Sequence, residues 1–112
     1  MTKTIATAYV RFIQISGGKR RPVYILRETH TELFFFNITT KYTSKSDFIK
    51  QWYFEIKDYH PTRLKKQSWI DTYQLYSLAK KTTEINYTGQ LSDDDTARLR
   101  HFLERIKNLN RE

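Results

Sequence analysis

The residues best suited to chemistry begin with Lys19-Arg20-Arg21, three cations directly before Pro22. A guanidinium stays charged at any ordinary pH and offers a planar fork of donors that fits phosphate oxygens. It suits stabilising a crowded phosphorane and suits general-base work poorly, because it hardly deprotonates. Flat rings at Trp52, Tyr53, Tyr73 and Tyr76 are candidates for stacking on unpaired bases, although core packing accounts for most aromatics. The three histidines, His30, His60 and His101, would suit a two-histidine ribonuclease, yet nothing in the sequence brings any pair together; His60, before Pro61, is the one to test as an acid or base. There is no cysteine, no HxxxH and no carboxylate pair at ligand spacing, so neither a disulfide framework nor a metal site is expected, and no cofactor.

Charge points the same way. Of the formal net charge of +8, the whole excess lies in residues 1–66, with 13 Lys/Arg against 5 Asp/Glu, while residues 67–112 balance at 7 against 7. A one-sided basic excess is the footprint of a polyanion partner, or simply a basic solvated surface. No apolar run reaches membrane-spanning length and the start lacks a signal-peptide core, so no membrane association and a cytoplasmic location are expected.

The elements that must hold these side chains read as short strands followed by one helix. At 112 residues, with few Gly and Pro, the chain predicts one domain over 1–112. Residues 5–15 are β-branched and aromatic and predict a first strand, Ser16-Gly17-Gly18 a turn, Val23 to Arg27 a second strand, and Leu33 to Thr39 a third, central one because Leu33-Phe34-Phe35-Phe36 is apolar on both faces. Asp47 to Gln51 predicts a helical turn, Trp52 to Ile56 a fourth strand, and Thr62 to Lys66 a turn begun by proline. Trp69 to Leu78 predicts a fifth strand, with Ile70, Thr72, Gln74 and Tyr76 on one face and Trp69, Asp71, Tyr73 and Leu75 on the other. Glu84 to Gln90 closes the set. Ser92 then caps a helix with Asp93, Asp94 and Asp95 in its first turn, an apolar stripe of Leu99, Phe102, Leu103, Ile106 and Leu109, and Arg98, Arg105 and Lys107 on its solvated side. The expected fold class is mainly β with a C-terminal helix, a small curved barrel with the helix packed on it.

Three stretches together resemble the MazF/PemK toxin family: Gly17-Gly18-Lys19-Arg20-Arg21-Pro22-Val23-Tyr24-Ile25-Leu26, then Phe36-Asn37-Ile38-Thr39-Thr40, then Ser68 to Leu78 with Gln74. The likeness runs over about residues 9–106, as one domain of this length would allow. Thr4-Ile5-Ala6-Thr7-Ala8 stands where the family usually has Gly-Asp and a branched residue, and Tyr76 where many members have Arg. The resemblance implies an SH3-like barrel of the MazF/CcdB type, a homodimer, and a toxin of a type II toxin–antitoxin system: an endoribonuclease that cuts single-stranded RNA within short sequences without metal and is held by an acidic antitoxin. Residue by residue it implies Arg21 and Thr39 as catalytic. Lys19 and Arg20 would position phosphate, and Gln74 and Tyr76 would contact RNA. Two alternatives remain open at this point: a non-catalytic RNA-binding module, and a topoisomerase poison acting through Leu109-Asn110-Arg111. Phe34, Phe36, Trp69 and Tyr73 are the expected dimer face, since the aromatic content exceeds what one small barrel readily buries.

Overall fold

The computed structural model describes residues 1–10 and 19–109. Its strands are β1 (Thr4–Val10), β2 (Lys19–Glu28), β3 (Glu32–Thr39), β4 (Tyr53–Glu55), β5 (Trp69–Ala79) and β6 (Ile85–Gln90), with helices α1 (Asp47–Lys50) and α2 (Asp93–Leu109). They form one antiparallel sheet in the order β4-β5-β3-β2-β1-β6, so β3 and β2 are central as their apolar runs require. β4 and β6 are the two edges and do not pair with each other; the sheet is open. It bends enough to bring Gly89 of β6 against the 3₁₀ turn His60–Thr62, where a Cβ would sit 2.6 Å from the Pro61 carbonyl oxygen and 2.7 Å from that of Thr62. Only glycine fits that approach.

Each predicted strand is present, with shifted ends. β2 starts at Lys19 rather than Val23, because β1 pairs along it as far as Val10↔Lys19. Pro22 is tolerated inside the strand because the β2–β3 ladder begins only at Val23, so its missing N–H deprives β3 of nothing. The first strand is described over Thr4–Val10; residues 11–15 of its predicted span and the predicted turn at Ser16-Gly17-Gly18 lie outside the described residues. The proline turn falls at His60–Thr62, earlier than expected.

α2 covers one face of the sheet. Ser92 Oγ accepts from the Asp95 N–H at 3.0 Å, the cap its sequence position predicts. Leu99 packs into a cluster with Ile5, Tyr24, Phe36, Ile38, Phe54, Ile56, Ile70 and Leu91, while Ile106 packs with Trp52 and Tyr53. Asp95 is buried and ties the helix to the segment after β4, accepting from the N–H groups of Lys57 (3.1 Å) and Asp58 (2.9 Å) and from Arg98 Nη1 (2.6 Å). Arg98 is therefore half-buried over the Phe54 ring rather than on the solvated side. A second apolar cluster, Ala6, Ala8, Val23, Ile25, Leu33 and Phe35, is built from the alternate strand positions.

β5 corrects one expectation. Its pairing with β3 runs Thr39↔Trp69, Ile38↔Ile70, Asn37↔Asp71, then resumes at Phe35↔Tyr76. The extra β5 residues form an irregularity that breaks the two-residue period. Ile70 consequently joins the cluster under α2, whereas Tyr76 packs against the second cluster; the two do not share a face. One residue of the expected dimer face, Phe36, is corrected too. Phe36 is buried in the protomer core, Phe34 and Trp69 are half-buried, and Tyr73 alone of the four is exposed.

Candidate functional site

The site face is the one away from α2. On β3, Phe36 and Ile38 are buried toward the helix, so alternation turns Asn37 and Thr39 the other way. On β5, Ile70 and Thr72 are buried while Trp69, Asp71 and Tyr73 are more open. On β2, Tyr24 enters the helix-side cluster and Val23 the opposite one, which puts Arg21 on the side of Val23. The last ladder pair between β2 and β3 is Val23↔Asn37; two residues farther along each strand come Arg21 and Thr39. Ala8 lies opposite Arg21 on β1, and Trp69 opposite Thr39 on β5. Arg21, Thr39, Asn37 and Asp71 thus occupy neighbouring positions on the polar end of one sheet face.

Their hydrogen bonds define what each offers. Thr39 Oγ1 accepts from the Lys41 N–H at 3.1 Å, which leaves the hydroxyl proton to donate elsewhere. Asp71 Oδ1 accepts from the Tyr73 N–H at 3.0 Å, and a carboxylate that accepts one such bond has further acceptor capacity. Asn37 Oδ1 is buried with no hydrogen-bond partner among the described residues, an arrangement costly enough to call for an explanation. Burial first, and then the Asp71 charge, hold the hydroxyl of Tyr53, the β4 partner of Asp71, above its ordinary pKa. Aromatics wall the rim: Tyr42 stacks on Trp69 with ring centroids 4.7 Å apart, and Lys50 Nζ lies 5.0 Å from the Tyr42 centroid.

The other sequence-predicted residues are dispersed. Lys19 opens β2. Arg20, one position from Arg21, alternates to the other side and pairs with Glu84 at 2.9 Å, so part of its charge is already answered. Tyr76 stacks on Phe35 at 5.6 Å, and its hydroxyl reaches Gln74 Oε1 at 3.4 Å; Gln74 itself is exposed. The histidines sit on three separate elements: His30 at the β2–β3 tip, His60 in the 3₁₀ turn, and His101 on α2. His101 lines a groove of about 430 Å³ with Arg98, Arg105, Phe102 and Tyr53, on the helix side. Two of its cations are engaged there, Arg98 over Phe54 and Arg105 over Phe102 at 5.0 Å.

Sequence reasoning missed Asn37, Asp71 and Phe48. Asn37 gave a signal, one polar residue inside an apolar strand; Asp71 did not, because only the β3–β5 register brings it to the site, and Phe48 did not, because only the fold sets the α1 ring against Tyr73. Among the described residues no group of three His, Asp or Glu is placed to hold a metal ion, and no helix is long and apolar enough to cross a membrane. A cation fork, a hydroxyl donor and a carboxylate on one open face can hold a phosphodiester and move one proton beside it. No protein-family model matches the chain, and no curated protein sequence matches it.

Proposed function

We propose that this face binds single-stranded RNA and cuts it, and that the chain is a cytoplasmic toxin of the MazF/PemK type, with a sheet that is a variant of that family's SH3-like barrel. The observation that carries the reading is the placement of Arg21 and Thr39, far apart in sequence, at matching positions beyond Val23↔Asn37 on adjacent central strands. The basic first part of the chain and the aromatic rim support it. A homodimer and an acidic antitoxin complete the proposal.

In this mechanism the ribose 2′-oxygen attacks phosphorus, the P–O5′ bond breaks, and a 2′,3′-cyclic phosphate and a 5′-hydroxyl result. Arg21 takes the charge of the phosphorane, worth about 10²–10³ in rate for a positioned donor. Thr39 donates to a non-bridging oxygen. Asp71 is the carboxylate this face offers for the 2′-OH proton, and water reprotonates the leaving 5′-oxygen. Lys19 positions the backbone, a contact that holds register without reading sequence.

The test is cleavage of a defined RNA with the products mapped. Arg21→Ala is expected to lower the rate by about 10²–10³ while the fold survives with at most a small change in melting temperature, since the side chain is exposed. An Arg21→Ala protein that cuts as fast as the original rules the site out. A second reading, binding without cutting, is favoured by the position of all three histidines outside the strands that form this face. It expects intact RNA together with salt-sensitive binding, with a log–log slope of about −0.7 per phosphate contacted.

A further inference from the structure

We propose that Phe48 of α1 and Tyr73 of β5 form a stacking platform for one unpaired nucleobase of the strand held at the Arg21–Thr39 face; it rests on the RNA reading above. Phe48 is 57% exposed and Tyr73 54%, the largest exposures among the described Phe and Tyr side chains apart from Tyr87, whose hydroxyl is tied to Glu28. The two rings touch edge to face, centroids 6.1 Å apart and 74° between planes. Neither belongs to an apolar core cluster. Tyr73 is held from below by Trp52, only 8% exposed, at 5.5 Å and 77°. Phe48 is held by a helix short enough to depend on its cap, Ser46 Oγ accepting from the Ile49 N–H at 3.3 Å. Two large rings are thus fixed in place and left open to water.

Size and charge select the occupant. Two half-exposed rings offer on the order of 200 Å², well short of the ~800 Å² per partner of a stable protein interface. The other exposed large apolar side chains do not extend the patch: Met1 and Leu75 line a separate groove with Leu26 and Phe34, and Tyr87 lies on the far edge strand. One flat base matches the area available. The segment that presents Phe48 carries Lys41, Lys45 and Lys50 against Asp47 alone, which suits a phosphate backbone running beside the rings. Tyr73 stands four residues along β5 from Trp69, the partner of Thr39, inside the irregularity that follows Asp71. The platform would therefore take a base offset along the strand from the phosphate held by Arg21.

The experiment measures equilibrium binding of a short single-stranded RNA, made uncleavable by 2′-O-methylation, to the intact chain and to Tyr73→Leu, Tyr73→Phe, Phe48→Ser and Arg21→Ala. Tyr73→Leu and Phe48→Ser are expected to weaken binding about tenfold each, and Tyr73→Phe by less than about twofold. An RNA with one base removed at the matching position should weaken binding to the original chain by a similar factor and to Tyr73→Leu not at all. Equal binding by Tyr73→Leu and the original, with Arg21→Ala weakened, overturns the platform and leaves the RNA reading standing. No binding of RNA by the original chain overturns both. Loss of a dimer in Tyr73→Leu at unchanged RNA affinity overturns the platform and makes the rings a subunit contact.

Discussion

Toward α2 the sheet presents Tyr24, Phe36, Ile38, Phe54 and Ile70, all buried; on the reverse, the positions in between hold Arg21, Asn37, Thr39 and Asp71 at one end and an apolar cluster around Val23 and Phe35 at the other. On the proposed reading, β2, β3 and β5 therefore serve packing and chemistry with alternate residues. Because a strand sends successive side chains to opposite sides, each functional position is flanked by core positions that fix the backbone beneath it. The polar end can carry charge and an unsatisfied Asn37 oxygen because stability is supplied from the other side. Substitutions should then separate: those in either apolar cluster cost stability, and on the proposed reading those at the polar end of the reverse face cost RNA binding.

The largest effect should come from the helix side. Leu99→Ala removes a fully buried side chain from the cluster between α2 and the sheet and is expected to destabilise by about 2–5 kcal/mol. Denaturant unfolding would measure that, and RNA affinity per folded molecule should not change. An affinity loss equal to that of Arg21→Ala would break the division between faces. Gly89→Ala comes next. Its Cβ would meet backbone oxygens of Pro61 and Thr62 rather than a flexible side chain, so β6 must shift, at about 1–3 kcal/mol. A thermal melt matching the original protein's would show that the sheet's bend at this edge is slack.

How much of this could be read beforehand follows from range. α2 was legible in its cap, acidic first turn and the Leu99–Ile106 part of its apolar stripe, which are local, but not in Arg98, which is drawn over Phe54 and onto Asp95. The strands were legible as to number and order along the chain, since β-branched and aromatic runs bounded by breakers say that much. The face assignments of β5 were not. The irregularity between Asp71 and Tyr76 is set by how β3 pairs, and a two-residue period written through it put Tyr76 with Ile70. The openness of the sheet was hidden for the same reason: whether β4 meets β6 depends on curvature summed over all six strands. At the site, Arg21 and Thr39 were nominated by resemblance. Their shared face, and the arrival of Asp71 beside Asn37, came from strand register, which no local pattern encodes.

Ionisation offers a finer contrast between the faces. Tyr24 is buried under α2, and its hydroxyl donates to the Thr2 carbonyl oxygen at 2.6 Å. Burial holds its pKa well above the ordinary tyrosine value, with the Arg100 charge opposing only in part. A raised pKa in the fold means the folded protein keeps a proton that the unfolded chain releases above pH of about 10. The stabilisation is therefore fully present below that pH and is lost as pH climbs toward the folded value. Tyr24→Phe gives up the hydrogen bond but removes the ionisable group. At about pH 8 it should be less stable by about 1 kcal/mol; above pH of about 10 the gap should narrow and then reverse. Tyr53, Tyr59 and Tyr87 are shifted upward as well, so the original chain loses stability in alkali from several groups, and only the difference between the two proteins isolates Tyr24. A gap that stays constant from about pH 8 to 11 would mean that the Tyr24 hydroxyl titrates as freely as in the unfolded chain, and that the helix-side face is wetter than its packing indicates.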